Sequence, residues 1–176
     1  TTHGRDHVQE IELAAKKDGT ITGLRCTVWA GMGAYLSTAA PGIPTILHGL
    51  MLPACYGIPA IKEDVYGVYT NTTPVEAYRG AGRPEATFMV ERMVDRLAGE
   101  IGMDPAEFRR KNFVREFPHQ TPVIMNYDIG NYEASLDAAL EAIDYKGFPA
   151  RRAEAESRGK LRGIGFSTYI EACGIA

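Results

Sequence analysis

Apolar and polar residues alternate along VQEIELAA, stop at Asp18-Gly19, and alternate again through ITGLRCTVWAGMGAY, a pattern that predicts a β-hairpin over residues 8–35. Residues 36–63 lose the pattern, are rich in Pro and Gly, and suit a long irregular connection with at most one short helix. VYGVYTN, residues 65–71, is a further strand candidate. From Pro84 the period changes. Ala86, Met89, Val90, Met93, Val94 and Leu97 follow the three-four spacing of an amphipathic helix over 84–97, with its Met and aromatic positions expected in the core and Gly99 and Gly102 marking its end.

Asp104-Pro105-Ala106-Glu107 supplies an N-cap, a first-turn proline and a first-turn acid, so a short helix is expected through Lys111. Residues 115–128 read as a loop. Asn131 can cap a helix whose buried stripe would be Leu136, Ala139, Leu140 and Ile143. A charged surface helix follows over 147–159, and Leu161–Ile170 reads as a last strand. Strands first, helices next and a strand last predict an α+β fold of antiparallel strands and packed helices.

Composition narrows the function classes. The chain has 176 residues, 45% of them apolar, and a net charge of −3, which argues against a nucleic-acid binder because phosphate binding needs a basic surface. No run of 18 apolar residues predicts a membrane span, and no charged-then-apolar leader is visible. The three cysteines, Cys26, Cys55 and Cys173, are too few and too widely spaced for a disulfide framework or a metal knuckle, so a reducing, cytoplasmic setting is expected. The chain opens on Thr-Thr-His and stops within the apolar run GIGFSTYIEACGIA, which predicts a piece of a longer polypeptide.

The chemistry concentrates in VEAYRGAGRPEATFMVERM, residues 75–93. Gly80 and Gly82 admit backbone dihedrals closed to other residues and let a ligand approach the main chain. Pro84 fits the first helical turn, whose unpaired N–H groups and positive dipole end favour an anion. Arg79 and Arg83 add fork-shaped donors suited to phosphate or a metal-oxo group. The same spacing also describes a tight turn with two solvated arginines, and the residues alone leave the two open. Neither a phosphate-binding P-loop nor a complete dinucleotide fingerprint is present. His3 and His7, four apart, could share a helix face as metal ligands, but no third ligand accompanies them. His48 and His119 read as polar loop residues. Glu63, Asp64 and Glu76 form no acid–base pair, and Glu171 sits in the terminal apolar run.

AYRGAGRPEATFMVERMVDRLAGEIGMDPAEFRRKNF, residues 77–113, resembles the molybdenum-binding large subunit of the xanthine dehydrogenase/aldehyde oxidase family, and most closely the large chains of the carbon monoxide dehydrogenase type. The segments 55–80 and 4–25 are also similar to that family, so the resemblance extends over nearly the whole chain, with its specific motifs within 74–113. It implies a molybdenum–molybdopterin cofactor, in the simple pterin or the cytosine dinucleotide form, with iron–sulfur and FAD partners in a dimer of heterotrimers. It implies that Arg79 lies beside the molybdenum oxygens as the catalytic residue of the loop, and that Gly80, Ala81, Gly82 and Arg83 help to seat the cofactor. Where carbon monoxide oxidisers carry a copper-binding cysteine this chain has Gly80, so no copper is expected. Ala81 and Leu47 stand where xanthine oxidisers place a stacking Phe and an orienting Arg, which leaves an aldehyde or an N-heterocycle as the implied substrate. The resemblance divides the chain into a first molybdopterin-binding portion, 1–114, and a helical connection leading to the first strand of the next subdomain, 115–176. The family's Gly-rich motif and general-base glutamate fall outside these residues, so the piece alone is expected to be inactive. A free-standing anion- or pterin-binding or assembly domain without catalysis is the competing expectation.

Overall fold

In the computed structural model, residues 2–172 are described. Strand β1 (His7–Ala15) and strand β2 (Ile21–Gly33) form the expected hairpin, paired antiparallel from His7 opposite Ala30 to Ala15 opposite Ile21. The turn closes where Asp18 accepts the Thr20 N–H at 2.9 Å and Gly19 takes a positive φ of 86°. Strand β3 (Ile61–Tyr69) begins earlier than the sequence pattern suggests and runs parallel to β2, from Leu24 opposite Ile61 to Gly33 opposite Tyr69. The α+β class stands, but the sheet is mixed rather than wholly antiparallel. A parallel neighbour cannot be reached by a tight turn and needs a long crossover. Residues 34–60 supply it, and they contain a 3₁₀ turn at Ala40–Gly42 and a π turn at Ile43–Leu47.

Helix α1 (Arg83–Ile101) buries Ala86, Met89, Val90, Glu91, Val94 and Ala98, and ends on Gly102 in the left-handed region. The apolar ones among them join the inward row of β2, Leu24, Cys26, Val28, Ala30 and Met32, in one core with Leu52, Tyr56 and Phe108. Phe88 departs from the expectation that every aromatic of this helix is core: it is 68% exposed, because it sits off the three-four stripe. Helix α2 (Pro105–Asn112) starts as expected, with the Asp104 carboxylate accepting the N–H groups of Ala106 and Glu107 at 2.8 and 3.1 Å. Its last residue, Asn112, accepts the Ile21 N–H and donates to the Gly19 carbonyl, both at 2.9 Å, and so pins the hairpin turn to the helix.

The loop at 115–128 contains a two-residue ladder, β4 (His119–Gln120) with β5 (Asn126–Tyr127). Helix α3 (Tyr132–Ala142) is capped by Asn131 but buries only Leu136 of its predicted stripe; Ala139 and Ile143 are exposed. Helix α4 spans Phe148–Ser157. The strand expected over Leu161–Ile170 is absent: residues 160–172 belong to no helix or ladder. Their burial nevertheless alternates, with Phe166, Thr168, Ile170 and Ala172 turned inward, which is why the segment reads as a strand. It lies across α1, and the buried Cys55 thiol donates to the Thr168 carbonyl at 3.5 Å. Burial pushes the Cys55 thiol up to about 12.

The crossover, α1, α2 and the last segment meet at one buried ion pair. Arg109, fully buried, donates through Nε and Nη2 to Glu91 Oε2 at 3.2 and 2.9 Å and through Nη1 to Asp95 at 2.7 Å. Glu91 also accepts from the Tyr56 hydroxyl at 2.5 Å and the Thr168 N–H at 2.8 Å. Breaking a buried pair leaves an uncompensated charge. Arg109→Ala in the intact protein is therefore expected to cost about 3–5 kcal/mol, read as a fall in the thermal unfolding midpoint; an unchanged midpoint would show that the pair does not organise the fold.

Candidate functional site

The loop between β3 and α1 is built around backbone conformation. Arg79, Gly80, Ala81 and Gly82 all have positive φ, at 24°, 102°, 45° and 94°. Two of the four carry side chains that disfavour this region, so the run must be held by its surroundings. Its internal bonds are short-range: Ala81 N–H to the Tyr78 carbonyl at 3.0 Å, and Arg83 N–H to the Gly80 carbonyl at 3.1 Å. Among the described residues the N–H groups of Gly80 and Gly82 donate to no acceptor. They stand at the positive end of α1, a combination suited to an anion.

Gly82 rests on the crossover. A Cβ there would run into the Ile43 carbonyl and come within 3.2 Å of the His48 nitrogen. The stretch Ile43–His48 is thus the floor of the loop, and Leu47, half-buried, belongs to it. Ala81 is half-buried and Arg79 is exposed. Among the described residues the Arg79 guanidinium forms no ion pair. Arg83 differs from its neighbour. Its Nε donates to the Gly80 carbonyl at 2.9 Å and pairs with Glu171 at 2.7 Å, and its Nη1 donates to the Ala172 carbonyl at 2.8 Å. Arg83 braces the loop against the terminal segment, while Arg79 keeps its donors.

Beneath the floor lies a polar cluster that the sequence pattern did not mark. His48, expected as a polar loop residue, is fully buried. Its Nδ1 donates to Glu63 Oε1 at 2.6 Å, so its Nε2 accepts from Gln9 Nε2 at 2.8 Å. The signal was available in β3, where Glu63 shares the inward face with Ile61 and Val65. The His7 ring packs edge-on against His48 with centroids 6.1 Å apart. Burial holds its pKa below the usual histidine value, against an opposing pull from Glu85. His3 and His7 do not share a helix face. His3 forms a bridge with Val75 and His7 begins β1, and among the described residues no group of three or more His, Cys, Asp or Glu could hold a metal.

Comparison with known proteins settles the family. Residues 1–113 match the model of the molybdopterin cofactor-binding domain. The chain belongs to that family. It is 42% identical to the carbon monoxide dehydrogenase large chain of Hydrogenophaga pseudoflava over 99% of this chain and 22% of that protein. It is 34% identical to the nicotine 6-hydroxylase large subunit of Paenarthrobacter nicotinovorans over 98% of this chain and 21% of that subunit. Among solved structures, quinoline 2-oxidoreductase from Pseudomonas putida 86 superposes with a TM-score of 0.82 at 29% identity, over 90% of this chain and 20% of that one. A Cu,Mo-containing carbon monoxide dehydrogenase superposes with a TM-score of 0.78 at 34% identity, over 94% of this chain and 22% of that one. The chain thus spans about a fifth of the length of its relatives. Among the described residues no helix is long and apolar enough to cross a membrane.

Gly82 is the position where loop and floor touch. Gly82→Ala is expected to destabilise the intact protein by about 1–3 kcal/mol from the positive φ alone, and by more from the collision with Ile43. Thermal unfolding compared with the solvent-side control Gly99→Ala checks this.

Proposed function

We propose that these residues form one wall of the molybdenum cofactor and substrate site in the large subunit of a molybdenum hydroxylase. The observation that carries the reading is the four-residue positive-φ run at the start of α1, with unspent N–H groups and the exposed Arg79 beside it. The residues fit such a group: among the described residues the Gly80 and Gly82 N–H groups have no acceptor, and they stand at a positive helix end. When bound, the cofactor supplies the redox centre at which substrate is oxidised, with water as the oxygen source. Arg79 would offer its guanidinium donors to the anionic face of that group and would stabilise negative charge that develops there. Gly80 and Gly82 would present main-chain N–H groups to the cofactor, Ala81 would line its seat, and Arg83 keeps the loop in register through the Gly80 carbonyl.

The same loop bears on the substrate. Gly80 offers no thiolate, which argues for molybdenum without copper and against carbon monoxide. Ala81 has no ring to stack on a purine and Leu47 has no charge to orient one, so an aldehyde or an N-heterocycle is the better fit. Residues 1–114 are assigned to the first cofactor-binding portion and 115–176 to the connection towards the next. Electrons leave to iron–sulfur and FAD partners in a cytoplasmic dimer of heterotrimers, with the cofactor in the simple pterin or the cytosine dinucleotide form.

Two measurements on the full-length enzyme test this reading. Arg79→Ala is expected to lower kcat by ~10²-fold or more, the scale for losing one preorganised donor beside developing charge; unchanged turnover at full molybdenum occupancy would refute the role. Elemental analysis of the wild type is expected to find molybdenum without stoichiometric copper, and equal amounts of the two would overturn the part assigned to Gly80.

A further inference from the structure

Arg5 lies 74 residues before Arg79, yet the fold brings its guanidinium to the back of the site loop. Its Nη2 donates to the Arg79 carbonyl at 2.7 Å, and its Nε pairs with Glu85 Oε1 at 3.3 Å. Its Cζ stands 5.0 Å from the centroid of the Tyr78 ring. One planar group therefore contacts the residue before Arg79, the carbonyl of Arg79 itself, and the third residue of α1. The approach is close on the other side too, since a Cβ on Gly4 would lie 2.6 Å from the Tyr78 Cβ. The bridge from His3 to Val75, with the Glu76 N–H donating to the His3 carbonyl at 2.9 Å, holds the two segments in register.

We propose that Arg5 is the positioning residue for Arg79. The inference rests on the function proposed above and adds the origin of the loop's geometry. Arg79 has a φ of 24°, a conformation that a free chain would leave, and its own carbonyl is the atom Arg5 holds. Glu85 makes the tether directional. Its side chain is only 10% exposed, and its second oxygen is buried without a partner among the described residues, so the carboxylate has Arg5 as its counter-charge. Losing Arg5 would release the Arg79 carbonyl and leave a buried negative charge beside a site built for an anion. Lysine keeps the charge but cannot serve the carbonyl and the carboxylate together in fork geometry.

The test uses the full-length enzyme, with benzaldehyde and quinoline as substrates and a redox dye as acceptor. Arg5→Lys and Arg5→Ala are compared with wild type for molybdenum content, thermal midpoint, kcat, KM and the paramagnetic resonance signal of the partly reduced metal. In Arg5→Lys, metal content and midpoint are expected to hold while kcat falls ~10–100-fold, the usual effect of removing an outer partner of a metal site. KM should stay unchanged and the resonance signal should shift. Arg5→Ala is expected to lose more turnover; if it fails to fold, the lysine variant decides. Unaltered kcat and resonance in Arg5→Lys at full metal content would overturn the inference. So would a loss of turnover that merely tracks metal content or midpoint, since that describes a structural role. Wild-type enzyme without molybdenum would overturn the proposed function itself, and this inference with it.

Discussion

The Arg109–Glu91 pair is the constraint on which the rest of the molecule hangs. Taking a guanidinium and a carboxylate out of water costs several kcal/mol per ion unless almost every donor and lone pair finds a partner. Here they do. Arg109 is shared among Glu91, Asp95 and the carbonyls of Pro105 and Phe166. Glu91 is shared among Arg109, Tyr56 and Thr168. Burial, then the Glu91 charge, hold the Tyr56 phenol well above its ordinary range, so it remains a donor to the carboxylate. Such a network tolerates little rotation of α1 about its axis, and the rotation of α1 decides where its first turn points. The loop at 79–82 is the N-terminal continuation of that turn.

The second half of the site follows from topology. Because β3 pairs parallel to β2, the chain must travel the length of the sheet between them, and that crossover passes under the start of α1. Ile43 and His48 reach Gly82 only for this reason. A hairpin at the same place would have left the loop without a floor and His48 without Glu63. The parallel pairing is therefore what supports the loop.

Legibility in the sequence followed the range of the interactions. The hairpin, the Asp104 and Asn131 caps, the stripe of α1 and the Gly102 stop are local, and residue type and spacing are enough to read them. The tight turn at 79–83 was legible because glycine and proline each have a local reason to be there. What escaped was set by distant partners. The direction of β3 depends on the crossover, and the burial of His48 depends on Gln9 and Glu63. Ala139 and Ile143 obey helical spacing but find nothing to pack against. Residues 166–172 have a strand's alternation, yet a strand also needs a neighbour to share its N–H and C=O groups. Arg5 carries no local signal, because nothing near it in the chain shows that Arg79 and Glu85 come to meet it.

The hydrogen bond from Cys55 to the Thr168 carbonyl has a chemical corollary. A thiol that must keep its proton to make that bond, and whose pKa burial raises to about 12, carries almost no thiolate at neutral pH. Nucleophilic attack, alkylation and oxidation to sulfenic acid all proceed through the thiolate. Cys55 therefore serves as a small apolar side chain with one weak donor, and it is shielded from oxidants by the contact that fastens the last segment to the core.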